Sequence, residues 1–379
     1  MLKLIKNTNL YTPQSLGKKD ILIAGKKIVA IEDNLDINTT VTIFDAKGKI
    51  VTPGLIDQHM HIIGAGGKQG FSSMTPEVTL SELITCGTTT VVGLLGTDGT
   101  ARNIRTLYSK TKALDEEGIS AYMHCGYYGI DSMTITDSVQ ADMIFIDKVL
   151  GCKIAISDIR SSYPTAIELV RKLRDVIVGG YIGKKKGILH VHIGNLDSKL
   201  DLLFELVNNY QFPIEHISPT HVGRTKELFD QAIEFAKLGG MIDLTTGASK
   251  YIEPYNSVLY ALDQGVKITN ITFSSDGHAG LTKFDDNNNP VGVRKAPIDT
   301  NLEQVKLLIK KGGIPIEDAF KLITLNPAVN LGLHHKGRLE VGSDADLCFF
   351  DNNLNLVDVF ANGKHMMNNG NIIVKGVFE

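Results

Sequence analysis

Between residues 49 and 274, short apolar runs alternate with longer stretches of helical period, and few folds can absorb a chain built this way. The runs are Lys49 to Ile56, Thr88 to Leu94, Ile119 to Met123, Lys153 to Ile156, Ile188 to Val191, Ile217 to Thr220, Met241 to Leu244 and Ile271 to Ser274. They read as strands, whereas segments such as Pro164 to Val178 and Thr225 to Leu238 repeat apolar residues every three to four positions. Eight strands alternating with helices predict an α/β chain with a parallel (β/α)8 TIM barrel, its helices forming an outer ring. The two chain ends are different. Asp20 to Ala24, a Gly25-Lys26 turn and Lys27 to Glu32 read as a hairpin. Near the C-terminus, Ala345 to Phe350 and Val359 to Ala361 read as strands, with Asn362-Gly363 and Asn369-Gly370 as tight hairpin turns. The terminal strands are expected to form a small β-sandwich domain from residues 1–52 and 337–379, beside a barrel domain of 53–336.

The 379 residues, 43% hydrophobic and 21% charged, suffice for one large barrel with such a companion. A formal charge of −3 offers no field to collect nucleic acid or an anionic membrane, so the expected partner is a small molecule. The four cysteines lie far apart without a Cys-X-X-Cys pair, which argues against a disulfide framework or a thiolate zinc site and for a reducing compartment. The apolar run of Met1 to Leu10 is broken by Lys3, Lys6 and Asn7, and no later stretch is long enough for a bilayer, so a soluble cytoplasmic protein is expected.

In a barrel the chemistry sits at the C-terminal ends of the strands. The first strand ends in Asp57-Gln58-His59-Met60-His61, whose two imidazoles, two apart on a strand, point to one side and can grip one cation. The fifth strand ends at His192, the sixth at His221 and the eighth at Asp276. Each alone is more often structural. Random placement of eleven histidines, however, would rarely put so many at one end of successive strands. His190 lies deeper on the face of His192 and reads as a packed or supporting imidazole. Lys153 puts an ammonium on what otherwise reads as an interior strand, where an unpaired charge costs several kcal/mol. Reaction with CO2 would turn it into an anionic carbamate able to bridge two cations; the plainer alternative is a side chain that points outward.

Taken together, these residues resemble the amidohydrolase superfamily over nearly the whole chain. Val51 to His61 is similar to its first-strand signature, and Gly337 to Leu347 to its return into the terminal sheet. Within it the chain resembles the isoaspartyl dipeptidases through Gly93 to Asp98, Ala155 to Asp158 with Arg160, Pro219 to Val222 with Arg224, and Ser274 to Gly277. The resemblance implies a binuclear centre, with His59, His61 and Asp276 on one divalent ion, His192 and His221 on the other, and carboxylated Lys153 between them. Zinc is the first choice of metal, with manganese, iron and cobalt as alternatives. A hydroxide bridging the two ions would attack the scissile amide carbonyl of a β-aspartyl dipeptide. Asp276 would carry the proton from that water to the leaving amine. Tyr128 would stabilise the oxyanion, Arg160 and Arg224 would hold substrate carboxylate, and Gly66 and Thr97 would offer loop contacts. Asp57 is expected to orient a ligand imidazole, and Thr75-Pro76-Glu77 to start a helix that leaves Glu77 outside the site. The same resemblance suggests a homo-oligomer, an octamer being its usual form.

Two positions depart from the family pattern. Lys68 stands where those dipeptidases carry a glutamate for the substrate's α-ammonium, and Gly280 where they carry a substrate-binding serine. Either Lys68 turns to solvent and another acid or water meets the ammonium, or the substrate has an acylated amine or an additional carboxylate. A hydrolase of cyclic amides, of the dihydroorotase or hydantoinase kind, or of N-acylated amino acids would share the ligands. A non-catalytic relative kept for assembly would be expected to have lost them.

Overall fold

The computed structural model describes every residue from Met1 to Glu379 except Ser249, Asp286 and Asn288. Eight parallel strands lie in sequence order around a barrel: β1 (Leu55–Met60), β2 (Thr88–Gly93), β3 (Ser120–Gly126), β4 (Val149–Ile156), β5 (Ile188–Ile193), β6 (Ile217–Thr220), β7 (Ile242–Thr245) and β8 (Ile271–Ser274). A parallel bridge between Met60 and Gly277 and the bond from His61 N–H to the Gly277 carbonyl (2.9 Å) draw β1 and the end of β8 together. Every residue of β1, β2, β4 and β5 is buried, as parallel strands covered on both faces require.

The outer helices form where the apolar period predicts. Lys226–Lys237 turns Leu228, Phe229, Ala232, Ile233, Phe235 and Ala236 inward, and Thr225 caps it by accepting the Leu228 N–H. Ala166–Gly183 starts where the Glu168 carboxylate accepts the Thr165 N–H at 2.7 Å. The expected helix start at Thr75 is not there. The helix begins at Leu80, under a reciprocal capping box between Thr79 and Glu82, and the Thr75 hydroxyl instead ties Ala65 to the His278 carbonyl.

Both chain ends join one nine-stranded sheet with a core of its own, including Ile5, Ile21, Val51, Leu347, Phe349 and Phe360. The 15–24 and 27–32 strands pair as the hairpin reading requires, and Asn362-Gly363 and Asn369-Gly370 turn with positive φ at all four residues. The run Lys49 to Ile56 is not one strand. Ile50–Pro53 pairs in the terminal sheet, and β1 starts only at Leu55. Pro53 has no N–H to extend a ladder, and a Cβ on Gly54 would come within 2.1 Å of the Thr89 hydroxyl. The crossing from sheet to barrel therefore needs both residues. An antiparallel pair, Gly280–Phe284 with Pro290–Lys295, follows β8 and was not legible as strands.

Candidate active site

The ends of β1, β6 and β8 bring His59, His61, His221 and Asp276 into one buried cluster, with Lys153 of β4 and His192 of β5 beside it. His59, His221 and Asp276 each offer a ligand atom, all within 4.8 Å of one another. His61 joins them with Nε2 3.2 Å from Asp276 Oδ1, and His59 Nε2 lies 3.3 Å from the same oxygen. His221 and Asp276 hold positive φ angles of 66° and 54°, a costly backbone that persists because the strand ends fix it. Lys153 does point into the barrel: it is fully buried, with Nζ 3.3 Å from His59 Nε2 and 5.9 Å from the centre of the Tyr128 ring. His192 stands beside the cluster, its ring 4.7 Å from that of His221, but its nitrogens face other groups: Nδ1 the Tyr128 hydroxyl at 2.7 Å and Nε2 the Asp158 carboxylate at 2.9 Å.

The electrostatics suit a divalent cation, whose ligands must be deprotonated. Burial, reinforced by the Lys153 charge, lowers His59 to about 3, and burial holds His192 and His221 well below the usual imidazole range. Burial alone would raise Asp276, but hydrogen bonds from His59 and His61 keep it well below the ordinary carboxylate range. At neutral pH His59, His192 and His221 are thus neutral imidazoles near an ionised Asp276. Burial brings Lys153 down to about 7, so a large share of its amine is unprotonated at neutral pH.

Support comes from beneath the cluster and differs from the expectation for Asp57. Among the described residues its carboxylate meets no imidazole ring. It accepts from the His59 and Ser275 backbone N–H groups and the Asn301 amide, and burial raises it to about 7. His190 makes the contact instead, with Nε2 2.9 Å from His59 Nδ1 and Nδ1 3.2 Å from the Ser218 hydroxyl. Gln58, fully buried, donates to Asp243, which also accepts from Thr220, Thr272 and Ser274. This network fixes the strand ends that carry the ligands.

Above the cluster opens a cavity of about 220 Å³ whose wall includes His61 and Asp276 together with Gly66, Lys68, Thr97, Tyr128, Arg160, Arg224 and Gly280. All seven expected substrate-side residues therefore share one space, and Glu77, paired with Lys110 near the surface, stays outside it. Tyr128 rather than Tyr127 faces the cavity; Tyr127 packs on the barrel core. Burial raises the Tyr128 phenol, keeping it a proton donor. Lys68 is exposed but has not left the cavity wall. At Gly280 a Cβ would sit 2.9 Å from the Gly66 Cα, so the two loops meet backbone to backbone.

Three residues of the site were given no role by the sequence, although Asp98 and Asp158 close two of the stretches that carry the resemblance. Asp158 receives both Arg160 Nε (2.9 Å) and Nη2 (2.6 Å) as well as His192; its signal was an Asp-X-Arg turn directly after β4. Asp98, bound to Arg102, and Asn195 also line the cavity, each just beyond a strand end.

The amidohydrolase family model matches residues 50–377. A crystal structure of β-aspartyl dipeptidase from Fervidobacterium islandicum AW-1, in complex with β-Asp-Leu dipeptide, is 38% identical, covers 98% of both chains and superposes with a TM-score of 0.91. Dihydroorotase from Lactococcus lactis is 25% identical over 93% of this chain and 90% of its own length. A deacetylase from Agrobacterium fabrum is also 25% identical, over 93% and 83%.

Proposed function

Because the chain belongs to the amidohydrolase family, we propose that it is a metal-dependent hydrolase of amide bonds, acting on a β-aspartyl linkage in a dipeptide-like substrate. The observation that carries this reading is the convergence of His59, His221 and Asp276 within 4.8 Å below a cavity lined by Tyr128, Arg160 and Arg224. A cyclic-amide hydrolase is the second reading. The dihydroorotase relatives favour it, but at 25% identity against 38% for the dipeptidase structure.

In our assignment His59, His61 and Asp276 hold one divalent ion, and His192 and His221 the other. His192 must then give up its contact with Asp158 or Tyr128. When bound, two such ions supply Lewis acidity and a water acidic enough to ionise near neutral pH, zinc being the first choice for imidazole and carboxylate donors. Lys153 completes the set as a carbamate: its neutral amine adds to CO2 and loses a proton, replacing a buried cation by a bidentate anion. Asp276 takes the water's proton and returns it to the leaving nitrogen. Tyr128 donates its hydroxyl to the developing oxyanion, Arg160 and Arg224 take substrate carboxylate, and the Gly66 backbone and Thr97 hydroxyl align the substrate.

Among the described residues no helix is long and apolar enough to cross a membrane, and all four cysteines are free and buried. We read the protein as a cytoplasmic homo-oligomer, with residues 1–52 and 337–379 as one domain and 53–336 as the other. The test is elemental analysis together with leucine release from β-Asp-Leu. We expect about two divalent ions per chain, and activity that a chelator removes and added zinc restores. A chain that binds no metal and releases no leucine overturns the proposal.

A further inference from the structure

The charges on the cavity wall are unbalanced. Two carboxylates line it, and both are engaged: Asp276 faces His59 and His61, and Asp98 Oδ2 accepts from Arg102 Nε at 2.9 Å. The other Asp98 oxygen is buried without a partner among the described residues, beside Gly96 on the same wall, but the charge of that carboxylate is already taken up by Arg102. Three cations line the same wall. Arg160 is neutralised by its two bonds to Asp158. Arg224 reaches only the Ile193 carbonyl and His192, and the Lys68 ammonium has no hydrogen-bonding or ion-pair partner among the described residues.

Two cations therefore line the cavity with no ion-pair partner among the described residues. They are within electrostatic reach of each other, because partial burial and then Arg160 and Arg224 lower the Lys68 ammonium. In a space of about 220 Å³, no bound group can stay clear of all three. A substrate with a free α-ammonium would add a fourth positive charge where both wall carboxylates among the described residues already face a cation or imidazoles. An acyl carbonyl or carboxylate at that place would instead accept from Lys68.

We propose that Lys68 and Arg224 select an acyl group that presents two anionic or acceptor groups and no free ammonium, the class of N-acyl-β-aspartyl and succinyl-type amides. The inference rests on the amide hydrolysis proposed above. Water adds across the C–N bond, hydroxyl to the acyl carbon and hydrogen to nitrogen, releasing the N-acylaspartate or dicarboxylate and an amino acid. The loop holding Lys68 is set by its backbone, through the Gly66–Met74 and Lys68–Gly70 bridges, so a new side chain at position 68 leaves it in place.

The test uses zinc-loaded wild type and Lys68→Glu on β-Asp-Leu, N-acetyl-β-Asp-Leu and N-succinyl-leucine, reading leucine release. Wild type should favour both ammonium-free substrates in kcat/KM by about tenfold or more, and Lys68→Glu should reverse the order. The proposal is overturned if wild type prefers β-Asp-Leu, as it would were Asp98 to receive the ammonium, or if Lys68→Glu leaves the ratio unchanged. Cleavage of none of the three sinks the dipeptidase-like activity instead. Calorimetric titration then still decides the inference: N-acetylaspartate should bind wild type about tenfold tighter than aspartate, and equal binding overturns it.

Discussion

Lys153, at the mouth of the barrel, and Lys336, where the barrel meets the terminal sheet, are both buried, at 0% and 4% relative exposure. Their surroundings differ in kind. Lys336 lies 2.6 Å from Asp346, 2.9 Å from Asp344 and 2.7 Å from the Ser120 hydroxyl of β3, and the two carboxylates outweigh burial and raise its ammonium above the ordinary value. Lys153 has a neutral imidazole at 3.3 Å and no carboxylate at ion-pairing distance among the described residues, and burial brings it down to about 7. The first environment holds a charge in place to join two parts of the fold. The second makes the amine easy to deprotonate, which is what a lysine about to react requires. Burial by itself thus does not distinguish structure from chemistry; the counter-charges do.

The comparison breaks most visibly at Lys153. Lys153→Met fills the same space without a charge, so the barrel should fold with stability unchanged or improved, while kcat/KM falls by on the order of 10³-fold. Thermal unfolding and leucine release, measured on one preparation, check both halves. Activity near the wild-type level would remove the lysine from the mechanism. At Lys336 the outcome should be the opposite. Lys336→Met leaves Asp344 and Asp346 buried without their cation, so unfolding in urea should show a loss of about 3–5 kcal/mol with kcat unchanged in the folded enzyme. A loss below about 1 kcal/mol would mean that the aspartates relax into water.

What the sequence made legible follows the same division. Strand ends carrying His59, His61, His192, His221 and Asp276 could be read because a two-residue period and the barrel architecture say where a strand-terminal side chain goes. Lys153 could be read because a charge on an apolar strand needs a reason. Contacts across the barrel have no local signature. That His190 rather than Asp57 meets the His59 ring depends on how β1 and β5 face each other, and the Gln58–Asp243 bond joins residues 185 apart in sequence. A local signal also misled. Thr75-Pro76 looks like a helix start, but the helix begins after Thr79, where both halves of the Thr79–Glu82 capping box form, while the Thr75 hydroxyl is engaged by Ala65 and by the loop that follows β8. The short strands 280–284 and 290–295 have no buried residue, so no core-facing alternation announced them.

The two lysines also differ in how stability should respond to pH, an effect smaller than either substitution. In metal-free protein the folded Lys153 value of about 7 lies below the ordinary 10.5. Between those limits the unfolded chain holds a proton that the folded one has released, so stability rises with pH, by up to about 1.4 kcal/mol per pH unit. Below pH 7 both states are protonated and the penalty of burial is present in full. Lys336 has the opposite sign: its folded value is raised, so its contribution is complete below the unfolded value and lost only as pH rises through the folded one. It is therefore flat from pH 7 to 9. Urea denaturation of metal-free wild type and Lys153→Met across that range should show stability rising in the first relative to the second, and parallel curves would mean that some group already compensates the Lys153 ammonium.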